Sequence, residues 1–137
     1  LFAMRTAALS GVDVRLMIPY ETDTKIVEWA SRTYVLATVK AGVKVYLYKA
    51  GFNHSKLLVA DDSIATIGST NVDFRSFEND FEANAFFYDK KIALEVKDIF
   101  LKDQEECVSL EEVRNLTHRS FLQRLWESMV RLLSPLL

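Results

Sequence analysis

His54 and Lys56 stand two residues apart, and Ser69 and Asn71 repeat that spacing fifteen positions later. In an extended segment residues i and i+2 point to the same face. Each pair can therefore address one site, an imidazole with an ammonium and a hydroxyl with an amide. Such a set suits chemistry at phosphorus. An imidazole can attack phosphorus to give a covalent phosphohistidine, or protonate a departing alkoxide. The ammonium and the neutral donors can hold non-bridging oxygens and stabilise charge as it develops. Glu82 could fix the tautomer of His54 through its other ring nitrogen. Asp61, seven residues past His54, suits the task of tying down a turn or pairing with a cation better than that of meeting substrate. Arg75, four residues past Asn71, lies within reach of a phosphate or headgroup, with a helix cap or an ion pair as competing uses. The carboxylates nearby lack metal-ligand spacing and the chain has only 2 histidines, so neither metal nor cofactor is assigned.

Positioning these groups falls to a hairpin. Lys56 to Ala60 and Ile64 to Gly68 are apolar runs separated by Asp61-Asp62-Ser63, with His54 and Asn71 at its open end. A tight turn at Asp61-Asp62 would set His54 opposite Ser69. Phe81 to Tyr88 is expected to add a strand. Upstream, Phe2 to Ser10 reads as a helix stopped by Gly11, and Val12 to Ile18 as a strand ended by Pro19. A helix capped at Thr22, Asp23 or Thr24 runs to Lys40 with Gly42 as its stop, and Val43 to Tyr48 is the next strand. This alternation favours parallel neighbours in an α/β layered fold. From Lys90 onward the pattern is helical: about 90–106, a short piece near 110–116, and a last helix from Thr117 to Leu133. That last helix carries Leu122, Leu125, Trp126 and Met129 beside Arg119 and Arg124. Packing on a sheet is the expected use of its apolar stripe, with contact to an anionic bilayer second.

The 137 residues suffice for one domain, residues 1–137. With 50% hydrophobic and 26% charged residues the composition is that of a folded globular domain. A net charge of −2 offers no basic field for a polyanion, so nucleic acid is not the favoured partner. Cys107 is the only cysteine, which rules out an internal disulfide.

His54-Ser55-Lys56-Leu57-Leu58-Val59-Ala60-Asp61 matches HxKxxxxD, and Gly68-Ser69-Thr70-Asn71 and Glu82 follow in register. Together they resemble the signature of the phospholipase D superfamily. Gly11 to Arg15, Trp29 to Arg32, Ala41 to Tyr46, Asn71 to Phe77, Asn84 to Phe86 and the Leu132 to Leu137 tail are similar to bacterial cardiolipin synthases. The resemblance implies a phospholipase D-like layered fold, a mixed β-sheet flanked by helices, forming one half of a pseudo-two-fold enzyme. It implies catalytic roles for His54, Lys56, Asp61, Ser69, Asn71 and Glu82, with His54 as general acid and base. It implies a phosphatidyltransferase that makes cardiolipin from two phosphatidylglycerol molecules at a bacterial cytoplasmic membrane. Such enzymes join two HxK motifs in one active site, and this sequence has one. The chain is thus expected to be a piece of a longer two-motif protein, incomplete at its N-terminus. Its partner is the other half, or a second copy in a homodimer. The other readings are a phospholipase D-type or nuclease-type hydrolase and an inactive dimerising domain.

Overall fold

A computed structural model describes residues 1–20 and 34–110. The caps proposed at Thr22 to Thr24 and both helices expected after residue 110 lie outside the described residues. The chain divides into two compact units, Leu1–Phe52 with Cys107–Leu137 and Asn53–Glu106.

The first unit begins with α1 (Phe2–Leu9). Gly11, at φ +89°, takes the left-handed conformation that ends it. Strand β1 (Arg15–Pro19) pairs in parallel with β2 (Lys44–Tyr48), from Arg15 opposite Lys44 to Pro19 opposite Tyr48. Pro19 is the last residue of the ladder rather than its stop, and the Tyr20 N–H extends the pairing to the Tyr48 carbonyl at 2.9 Å. Between these strands, residues 34–40 are helical, and Gly42 (φ +95°) turns the chain into β2. The parallel pair follows from that helical crossover. Val43, Val45 and Leu47 recur at every second position and are buried, with Leu110 beside them. Met4 and Ala8 of α1, Leu16 and Ile18 of β1 and Val35 and Val39 pack against this core. Burial of a side chain such as Leu47 is worth about 1.5–3 kcal/mol.

A third strand was not legible. Cys107 to Ser109 form β6, antiparallel to β2 with Tyr46 opposite Ser109. Three residues carry no period, and this strand exists because β2 presents an open edge to it.

In the second unit β3 (Leu57–Ala60) and β4 (Ile64–Gly68) form the expected hairpin, and β5 (Asn84–Phe87) pairs antiparallel with β4. Helix α3 (Lys90–Glu105) starts at Asp89, whose side chain accepts the Ile92 N–H at 3.0 Å. Ala93 and Val96 press onto Ala65, and Leu57, Val59 and Phe87 close round them. Ala65 and Ala93 both have no exposed surface, so small side chains let helix and sheet approach closely. The strand expected from Phe81 begins at Asn84. The β4–β5 register continues one step to Ser69, whose N–H donates to the Ala83 carbonyl at 3.0 Å, and Phe81, fully exposed, lies before that rung. A five-residue helix, α2 (Phe74–Glu78), lies between β4 and β5, capped by Asp73.

The described strands thus make two three-stranded sheets, one mixed and one antiparallel, with helices against them. Among the described residues no helix is long and apolar enough to cross a membrane.

Candidate active site

Asp61 and Asp62 are left-handed, at φ +51° and +53°, and the Ser63 N–H donates to the Ala60 carbonyl at 3.1 Å. Two consecutive positive φ values make a turn whose twist suits a hairpin, and aspartate tolerates them better than most residues. Ser63 is then one residue more than a two-residue turn would hold, and it moves the register by one. Leu57 faces Ile67 and Ala60 faces Ile64, so the same register would set His54 opposite Thr70, not Ser69. The hairpin's last bond runs from the Gly68 N–H to the Lys56 carbonyl at 3.1 Å. Beyond it, Ser69 turns to the segment before β5.

His54 is exposed and lies in the loop that leads into β3. The Asn53 side chain shapes this loop by accepting the Ser55 N–H at 2.9 Å. The Lys56 ammonium donates to the backbone carbonyl of His54 at 2.8 Å.

Across the site, Glu82 organises the second pair. Its carboxylate accepts the Ser69 hydroxyl on one oxygen and the Ser76 hydroxyl, at 2.7 Å, on the other. The Ser69 hydroxyl in turn accepts the Ala83 N–H at 3.0 Å. The Ser76 hydroxyl accepts the Asn71 N–H at 3.2 Å. Ser69, Asn71 and Glu82 therefore belong to one network. The hydroxyl bonds from Ser69 and then Ser76 hold the Glu82 carboxyl below the usual carboxylate range, and the positive charge of Lys56 adds to this. Lys56 thereby joins the two halves of the site electrostatically.

Two residues singled out from the sequence stand elsewhere. Asp61 occupies the turn, five residues beyond Lys56 at the far end of β3, or about 16 Å at roughly 3.3 Å per residue. Arg75 lies on α2, with its guanidinium 3.6 Å from Asp80, both half-exposed. Sequence reasoning missed Ser76, Asp73, Thr70 and Asn84. The Asn84 amide donates to the Thr70 hydroxyl, and Asp73 accepts the Ser76 N–H at 2.8 Å. Asp73 followed three residues later by Ser76 was a readable N-cap signal. Among the described residues no three His, Cys, Asp or Glu side chains converge where a metal could sit.

The fold that carries these residues is phospholipase D-like. The chain superposes on the crystal structure of Nuc from Salmonella typhimurium, described as a phospholipase D family member, with a TM-score of 0.66 and 20% identity over 79% of this chain and 70% of that one. Residues 1–104 match the family described as cardiolipin synthase, PLD-like domain, and the chain belongs to that family. It is 44% identical over 135 residues to a cardiolipin synthase of Clostridium perfringens, covering 98% of this chain and 28% of that protein. To the major cardiolipin synthase ClsA of Bacillus subtilis it is 46% identical over 140 residues, again 98% and 28%. The chain thus spans a little over a quarter of the length of these relatives.

Proposed function

We propose that this chain supplies one half-site of a phosphatidyltransferase that makes cardiolipin from two phosphatidylglycerol molecules. The observation that carries the reading is the Ser69–Glu82–Ser76–Asn71 network, with the Lys56 charge acting on Glu82. It joins Ser69, Asn71 and Glu82 of the signature beyond the open end of the hairpin, in a chain whose relatives are named cardiolipin synthases.

In this mechanism a histidine of the complementary half attacks the phosphorus of the first phosphatidylglycerol. The P–O bond to the headgroup glycerol breaks, and His54 gives the departing alkoxide its proton. His54, now neutral, takes the proton from a glycerol hydroxyl of the second phosphatidylglycerol. That oxygen attacks the phosphohistidine, cardiolipin forms and the nucleophile is restored. Lys56 and Asn71 hold the non-bridging oxygens through both steps. The Ser69 proton is already given to Glu82, so Ser69 serves chiefly to shape the site. The complementary half comes from another segment or a second copy, and both substrates reach the site at the surface of a bacterial cytoplasmic membrane.

The test uses the assembled two-motif enzyme, wild type and His54→Ala, on phosphatidylglycerol vesicles containing EDTA. Cardiolipin formation should persist in EDTA and fall by about 10²–10⁴-fold in the variant. Activity within a few-fold of wild type would remove His54 from the chemistry. Phosphatidic acid as the only product would make the enzyme a hydrolase.

A further inference from the structure

Ser76 is 8% exposed and lies at the centre of the bonding just described. A hydroxyl has one proton to give and two lone pairs to offer. The Ser76 proton goes to Glu82 at 2.7 Å, and one lone pair takes the Asn71 N–H at 3.2 Å. Its own N–H is held by Asp73 at 2.8 Å, which fixes the start of α2. One side chain thereby ties the Asn71 backbone to the carboxylate that holds Ser69.

We propose that Ser76 is a positioning residue of the transfer reaction, holding Asn71 and Glu82 in fixed relation to Ser69. The proposal rests on the half-site reading above. Removal of the hydroxyl leaves the Asn71 N–H and one Glu82 oxygen without this partner, so Asn71 can drift from the phosphate. Misplacement of a binding group by about an ångström can cost about 10²-fold in rate. The low titration of Glu82 agrees with this, because Ser76 is one of its two hydroxyl donors.

Two measurements test the proposal on Ser76→Ala and Ser76→Thr. In the 137-residue chain, the Glu82 carboxyl is titrated by carbon NMR. Its midpoint should move upward in Ser76→Ala and stay near wild type in Ser76→Thr. In the assembled enzyme, kcat for cardiolipin formation should fall about 10–100-fold in Ser76→Ala, with KM within about threefold, and recover in Ser76→Thr. Val96→Ala, which loosens the helix–sheet core away from these bonds, should lower stability and leave kcat near wild type. A kcat for Ser76→Ala within twofold of wild type would overturn the proposal. So would a Ser76→Thr variant as impaired as Ser76→Ala, since volume rather than the hydroxyl would then matter. Retained activity in His54→Ala would sink the half-site reading instead, while the Glu82 titration, which needs no turnover, would still decide the bonding role.

Discussion

At the scale of single residues, the charges that matter are paired and mostly solvated. Asp13 accepts the Arg15 guanidinium at 2.8 Å and the Lys44 ammonium at 2.9 Å, joining the first residues of β1 and β2. Those bonds lower the Asp13 carboxyl to about 2 from 3.8, Arg15 contributing most. A folded-state value below the unfolded one adds stability above about pH 4, and this is lost as pH falls toward 2. Since the side chain is 47% exposed, screening limits the effect to about 0.2–1 kcal/mol. Wild type should therefore exceed Asp13→Asn by that amount in urea unfolding at pH 6, and the two should converge near pH 2. Asp61 invites a different experiment. Its left-handed backbone and turn position assign it to the hairpin rather than to substrate. Asp61→Gly should hold activity within a few-fold and change stability by no more than about 1 kcal/mol, toward greater stability. A loss of 10²-fold or more in turnover would return Asp61 to the catalytic set.

At the scale of elements, the junction between β4 and β5 sets the site. Gly68 faces Asn84 across the ladder, and a Cβ there would collide with the Asn84 side chain and the Ala83 carbonyl. Backbone cannot yield as a flexible side chain does. Gly68→Ala should thus push β5 away, cost about 1–3 kcal/mol in denaturant unfolding, and disturb the Ser69 to Ala83 bonds. Circular dichroism unchanged in thermal midpoint would show that the junction can relax. The salt bridge from Lys97 of α3 to Asp62, at 2.6 Å, links helix and turn, but both side chains are over two-fifths exposed and the pair adds little.

At the scale of the whole molecule, one HxK motif cannot supply both a nucleophile and an acid. The half-site reading predicts that the chain, held at a concentration where sedimentation shows a monomer, does not form cardiolipin. Addition of the complementary half should restore activity in proportion to the complex formed. A monomer that turned over phosphatidylglycerol would break the two-histidine mechanism.

Much of this was open to a reader of residues alone. The alternation of Val43, Val45 and Leu47 declared a buried strand, and a helical crossover made it parallel to β1. The apolar runs on either side of Asp61-Asp62-Ser63 declared the hairpin, and the side-chain types of His54, Lys56, Ser69 and Asn71 are those that suit the phosphoryl chemistry proposed above. These are local properties, set by period, turn chemistry and functional groups within a few residues. Tertiary structure decided what depends on distant partners. The one-residue register shift came from how Ser63 is accommodated, and β6 from an open edge of β2. The hydrogen bonds of Glu82 were decided in the same way. Its type marked it as an acid of the site, but only folding brought the Ser69 and Ser76 hydroxyls, from two separate segments, onto its two oxygens.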